Sequence, residues 1–203
     1  MPVIGLTGNF GMGKSTVLKL FNKLGAHTFS ADEFVHNILE NPVIIRKIAR
    51  VLGRDILKID KGNISIDKEC AADIIFNNPD KRKAVERIIH PEVLKLFKKA
   101  VSGILKKKSS AMIVFEVPLL FEAGYAAHFN KTIVVYCSRD TALMRLTQKG
   151  FSRNEAVKRM RAQMPITKKK RLADFLIDNN KNRSVTGLQI RKIYKELSAP
   201  ARS

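Results

Sequence analysis

The chain is poor in acid. Of its 203 residues, 38 are lysine or arginine and 18 are aspartate or glutamate, leaving a formal net charge of +20. Such a surplus attracts polyanions and speeds their capture. Nucleic acid, anionic membrane and highly phosphorylated small molecules are the candidates, and a solvated basic surface is the plain alternative. Cysteine is scarce too. Cys70 and Cys137 form no C-x-x-C pair and are too few for a disulfide framework, which points to a reduced, cytoplasmic protein. Cys137 ends an apolar run and reads as a small core residue. No apolar run approaches the roughly 20 residues that span a bilayer. Met1-Pro2 leads straight into Val3-Ile4, so neither a membrane segment nor a secretory leader is expected. Aromatic residues make up 7% of the chain and are scattered on apolar faces, with no platform for stacking bases. Repeats, low-complexity linkers and a clear domain boundary are also lacking. Hydrophobic residues still make up 45%, enough to build the core of one α/β domain with a small inserted subdomain.

What is present is "GNFGMGKST" at residues 8–16. Gly8, Gly13, Lys14 and Ser15 fit G-x-x-x-x-G-K-[ST], a phosphate-binding loop. The apolar run "VIGLT" precedes it as a buried strand. Val17, Leu20, Phe21 and Leu24 follow at helical spacing, and Gly25 stands where that helix stops. The glycines let backbone N–H groups converge on phosphate oxygens, and the helix turns its positive end toward the anion. Lys14 can reach the β- and γ-phosphates, and the Ser15 hydroxyl is a magnesium ligand. ATP and Mg²⁺ are the expected cofactors.

Further strands are expected at 27–29, 112–117, 132–137 and 175–177, alternating with helices. The span 42–109 reads as mostly helical. Pro91 and Glu92 open one helix there, with a stripe of Leu94, Phe97, Val101 and Ile104 and a close at Lys106, Lys107 and Lys108. Residues 139–149 form a helix ending at Gly150. Ser152 and Glu155 cap the next, and Thr167 caps a short one after Pro165. A closing helix over 184–197 presents Val185, Leu188, Ile193 and Leu197. Alternating strands and helices imply a parallel sheet covered on both faces.

The class of phosphate chemistry follows by exclusion. A guanine-nucleotide switch wants N-K-x-D, and Asn130-Lys131-Thr132-Ile133 lacks the aspartate; no D-x-x-G is present. Motor ATPases need more chain. A small kinase remains. It needs a carboxylate at the acceptor hydroxyl, cations on the phosphoryl oxygens, and a lid against water. Asp32, just past the second strand, suits the first role or serves as a helix cap. The segment 145–171, with Arg145, Arg153, Lys158, Arg159, Arg161 and the run Lys168–Arg171, suits the other two, most of those charges being a solvated face.

At this point the chain resembles the dephospho-CoA kinase family, over nearly its whole length. "IGLTGNFGMGKSTV", "SADEFVH", "RIIHPEV", "VPLLFE" and "RAQMP" followed by "KKKRLADFLIDN" resemble its motifs in order. The resemblance implies a three-layer αβα P-loop kinase fold with a parallel five-stranded sheet. The core is then about 1–30, 110–150 and 175–203, with a helical acceptor (CoA) region at about 31–109 and a lid at about 150–174. It implies transfer from ATP to the ribose 3′-hydroxyl of dephospho-CoA, giving CoA and ADP, the last step of coenzyme A synthesis. Asp32, Lys14 and Arg145 are then catalytic. Gly8, Gly11, Met12, Gly13, Lys14, Ser15, Thr16, Arg159 and Asn179 hold the nucleotide. Asp32, His36, Arg87, His90 and Glu122 face the acceptor, and Glu116 holds Mg²⁺ through water beside Ser15. No specific nucleic acid, no membrane, and a monomer or weak homo-oligomer are expected.

This sequence departs from the family pattern in places. Ser30 stands for the first aspartate of Asp-Ala-Asp, Asn9 and Met12 replace small loop residues, and Lys149 and His36 stand where arginine is common. Binding through backbone amides survives the loop changes. Lys149 keeps charge without a bidentate grip, and the charge of His36 varies near neutral pH. His27 and His128 show no metal-ligand spacing. The rivals are another small-molecule kinase on the same scaffold and a nucleic-acid-binding protein driven by charge, whose binding would fall steeply with salt.

Overall fold

A computed structural model describes residues 2–60 and 63–199. In chain order its elements are β1 (Val3–Thr7), α1 (Lys14–Lys23), β2 (His27–Ser30), α2 (Ala31–Ile38), α3 (Pro42–Leu52), β3 (Leu57–Asp60), β4 (Asn63–Ile66), α4 (Lys68–Asn77), α5 (Pro79–Lys107), β5 (Ile113–Glu116), β6 (Lys131–Tyr136), α6 (Arg139–Thr147), α7 (Arg153–Arg161), α8 (Ile166–Leu172), β7 (Phe175–Asp178) and α9 (Arg183–Ser198). The chain divides into two compact units, after Ser30 and again after Ile104.

The unit that carries the glycine loop is built on a five-stranded sheet in the order β2-β5-β1-β6-β7, parallel throughout. β1 is central, with β5 on one side and β6 on the other; Leu6 stands between Glu116 and Ile133. The connection from β1 runs to β2 at one edge, and that from β5 later crosses to β6 on the other side of β1; ligands of open α/β sheets bind where the strand order reverses, off the strands' carboxyl ends. Successive residues of a strand face opposite sides. Ile4 and Leu6 join Val17 and Phe21 of α1 and Ile190 and Ile193 of α9 in one apolar layer. That layer makes the strand-to-helix turn after Thr7 a fixed point.

The other unit, residues 31–104, is helical around a hairpin. Ile44, Ile45, Ile48, Ala49 and Leu52 form the buried stripe of α3, and the antiparallel pair β3–β4 sets Leu57 opposite Ile66. Asp67 caps α4 by accepting from the N–H groups of Glu69 and Cys70 and pairs with Lys58 at 2.8 Å. The hairpin lies in a span that sequence periodicity assigns mostly to helix. Its strands are four residues each, too short to build a period-2 signal.

Three local expectations are corrected. Pro91 does not open a helix; α5 runs through it, from Pro79 to Lys107. Its buried residues are Val85, Val93 and Phe97, so of the expected stripe only Phe97 is buried, while Leu94, Val101 and Ile104 are half-buried. Thr167 does not cap α8, because Pro165 already takes the N-cap position with φ −51 and ψ 134. Leu188 is 60% exposed. The buried face of α9 is Thr186, Gly187, Ile190 and Ile193, where the hydroxyl of Thr186 finds a buried partner in Asn179.

Candidate functional site

Two glycines decide the shape of the loop. Gly8 has φ 153 and any Cβ there would strike the backbone carbonyl of Val135; Gly13 has φ 89 and its Cβ would strike the Asn179 amide. Only glycine passes that close to neighbouring chain in that conformation. Gly13 is also the N-cap position of α1, with no side-chain cap and no acid in the first turn. The helices α6, α7 and α9 are capped by Ser138, Ser152 and Asn182. The N-terminus of α1 thus has no side-chain cap in the way of an anion, with the helix dipole behind it. Ser15 and Thr16 are exposed in that first turn, and Lys14 Nζ lies 3.5 Å from the Asn9 carbonyl.

Cations and supports converge on the same turn. Arg145 of α6 donates from Nη2 to the Asn179 carbonyl at 2.9 Å. Its Nη1 is buried with no hydrogen-bond partner among the described residues, 3.7 Å from where a Cβ on Gly13 would stand. A buried guanidinium nitrogen without an acceptor is costly, and an anion on the loop would satisfy it. Asn179 holds the loop from below. Its Nδ2 donates to the Met12 carbonyl at 2.9 Å, and its Oδ1 accepts from Thr186 at 2.9 Å. The side chain is occupied by the loop and α9. Met12 is 2% exposed and packs with Cys137 and Ala142, against Met160 and Ile166. Burial also pushes the Cys137 thiol up from its ordinary value, which keeps it a neutral core group. Arg159 of α7 pairs with Glu155 at 2.8 Å and lies over the rings of Phe10 and Phe151, 5.4 and 5.2 Å from their centres.

Oxygen donors for a cation stand at the strand ends. Glu116 closes β5 at 5% exposure and is the register partner of Ser30 on β2. An aspartate at position 30 would put two carboxylates side by side; serine avoids that repulsion. The Ser15 hydroxyl and the Glu116 carboxylate are hard oxygens of the kind Mg²⁺ takes in ones and twos, with phosphates and water completing the shell. Among the described residues, no group of three or more His, Cys, Asp or Glu side chains forms a metal cage.

The remaining residues singled out in the sequence fall in two places. Glu122 accepts at Oε1 from the Met164 N–H at 3.0 Å and from Lys169 at 2.8 Å. Lys169 has no exposed surface, so it is not part of a solvated basic run. Burial holds its ammonium below the ordinary lysine value, with Glu122 pulling the other way. Asp32, His36, Arg87 and His90 belong to the helical unit. Asp32 is exposed in the first turn of α2. His36 has Nδ1 3.2 Å from Lys68 Nζ and Nε2 3.6 Å from Glu40. It helps line a pocket of about 470 Å³ with Arg46, Ile64 and Ile66. Arg87 and His90 lie on α5, beside Pro91. Sequence reading named Lys169, Gln163 and Asn9 only within longer motifs or a basic run, and missed their side-chain bonds to Glu122 and Pro118, Phe10 and Met164, since those partners lie far along the chain.

Comparison with known proteins gives the following. A family model described as dephospho-CoA kinase matches residues 2–184. A dephospho-CoA kinase of Aquifex aeolicus is 34% identical over 98% of this chain and 98% of its own. Among solved structures, a dephospho-CoA kinase from Campylobacter jejuni is 32% identical with a TM-score of 0.70, covering 97% of this chain and 96% of its own. A Thermus thermophilus crystal structure is 28% identical with a TM-score of 0.83, covering 98% of each chain.

Proposed function

Because the chain belongs to the dephospho-CoA kinase family, we infer how its own residues divide the work of phosphorylating dephospho-CoA with ATP in coenzyme A biosynthesis. The observation that carries the assignment of roles is the uncapped N-terminus of α1 with the buried, partnerless Arg145 nitrogen beside Gly13. The loop amides and the α1 dipole hold the β- and γ-phosphates. Lys14 follows the charge as the γ-phosphoryl group moves, and Arg145 supplies a fixed cation that needs no reorganisation. Ser15 and Glu116 would hold Mg²⁺, which when bound neutralises phosphate charge.

Asp32 accepts the proton of the ribose 3′-hydroxyl, or orients that hydroxyl, as its oxygen attacks the γ-phosphorus. The bond to the ADP oxygen breaks as the new P–O bond forms, and the proton leaves on the carboxylate. With Ser30 in place of an acid, Asp32 acts as the only carboxylate of that segment's usual pair. Arg87, His90 and His36 bind the acceptor's phosphates and pantetheine arm, and Arg159 closes on the nucleotide. Asn179 acts through the loop it supports, and Glu122 through the α7–α8 turn. Positioning of two substrates supplies roughly 7–11 kcal/mol of the barrier in such reactions. Among the described residues no helix is long and apolar enough to cross a membrane. Cys70 and Cys137 are free thiols, which supports a reducing, cytoplasmic setting.

The test is the product of ATP with dephospho-CoA, identified by mass and by the position of the added phosphate. Addition at the 3′-hydroxyl is expected. Transfer to a nucleotide or small sugar acid, with none to dephospho-CoA, would sink the reading.

A further inference from the structure

The glycine loop is tied by side chains to the turn between α7 and α8. Asn9 donates from Nδ2 to the Met164 carbonyl at 3.1 Å. The Phe10 N–H donates to Oε1 of Gln163 at 2.8 Å. From the far side the Met164 N–H donates to Glu122. Lys169 locks that carboxylate and also donates to the Pro118 carbonyl at 3.0 Å. Packing follows the same route. Phe10 meets Phe151 edge-on at 5.1 Å, with the Arg159 guanidinium near both rings.

Asn9 is 5% exposed, and its Oδ1 is buried with no hydrogen-bond partner among the described residues. A buried amide that makes one bond and strands its acceptor adds little net stability. What it does add is a fixed spacing between the loop and residues 163–164. A small residue at position 9 would leave the loop's backbone unchanged and provide no tether. The segment so held carries Arg159 and the packing that covers the loop. Water excluded there cannot take the γ-phosphoryl group.

We propose that Asn9 and Gln163 are positioning residues that hold the α7–α8 turn on the glycine loop, so that the phosphoryl group passes to the acceptor and not to water. The proposal rests on the phosphotransfer reading above. It is tested in the full chain with Asn9→Ala and Gln163→Met, each removing one bond of the tether. Two quantities are read: amide hydrogen exchange of residues 160–164 without substrates, and ADP formed per phosphorylated dephospho-CoA. In both variants exchange is expected to speed up. The ADP formed in excess of product, per product, is expected to rise roughly threefold to tenfold, the range one buried hydrogen bond is worth. The double variant should be no worse than the worse single one, because the two bonds fix the same turn.

Parental exchange in both variants overturns the tether. Faster exchange with an unchanged ADP ratio overturns its role in coupling, and so does a raised ratio with unchanged exchange. Gln163→Met lies outside the loop and carries the test if Asn9→Ala does not fold. A parent protein that makes no phosphorylated dephospho-CoA overturns the functional reading instead, and the exchange comparison still decides the tether.

Discussion

Asp32 and His90 show how far a single side chain can be read. Asp32 is exposed on the first turn of α2, where a carboxylate is also favoured by the helix dipole. Its two roles separate on substitution. Asp32→Asn is expected to lower kcat by about 10²–10⁴, the usual worth of general-base help, with ATP affinity measured by titration nearly unchanged. A helix-terminal role alone would lower stability slightly and leave kcat intact. His90 is half-buried, and burial pulls its pKa below the ordinary histidine value, with Glu86 offsetting part of the shift. The folded state therefore prefers the neutral ring. An unfolded histidine takes up its proton near about pH 6.5, so the cost is absent above that pH and grows as pH falls through it. Denaturation midpoints between about pH 7 and pH 5 should fall less steeply in His90→Gln than in the parent. His90 was visible beforehand as part of a His-Pro motif, but its protonation state depends on the burial that α5 imposes.

At the scale of elements, helix ends and one helix interior matter most. α5 carries Pro91 inside it. Proline has no N–H for the Arg87 carbonyl four residues back and crowds it, at about 3 kcal/mol in a typical helix interior. The missing hydrogen bond falls on the turn that bears Arg87 and His90. Pro91→Ala is expected to raise the unfolding midpoint while raising KM for dephospho-CoA and leaving KM for ATP unchanged. Unchanged acceptor KM would separate the proline from the acceptor site. α8 is anchored by Lys169, which is buried against Glu122 and Pro118. Lys169→Met leaves both acceptors short of a donor and should destabilise the chain by about 1–3 kcal/mol in chemical denaturation; a neutral result would assign α8's anchoring to packing alone. The four basic residues of 168–171 look alike in sequence. Which one turns inward is set by α8's helical phase against the loop at 117–122, and no short window of sequence contains both.

For the whole molecule the dominant quantity is the net charge of +20. Both substrates are polyanions, so capture should be steered by the field and screened by salt. kcat/KM for dephospho-CoA is expected to fall severalfold between low and physiological ionic strength while kcat changes little. A flat salt series would make the excess charge a solvated surface with no part in capture. The basic residues are spread along the chain, so the prediction belongs to the summed field and to no single lysine.

The amino-acid sequence by itself determined the strand–loop–helix at the phosphate site, the order of strands and helices in the unit that carries that loop, and the family, because these rest on local patterns: glycines at fixed spacing, apolar runs, and motifs read in order. It also placed Asp32, Arg87 and His90 among the candidates. Tertiary structure alone decided that Arg145 buries a nitrogen beside Gly13 with no partner among the described residues, and that Asn179 supports the loop through Met12. It alone showed Lys169 buried and Asn9 reaching Met164. The physical reason is separation along the chain. Asn9 and Met164 lie 155 positions apart, and only the shared sheet, with β1 between β5 and β6, brings the loop and that turn within reach of one hydrogen bond.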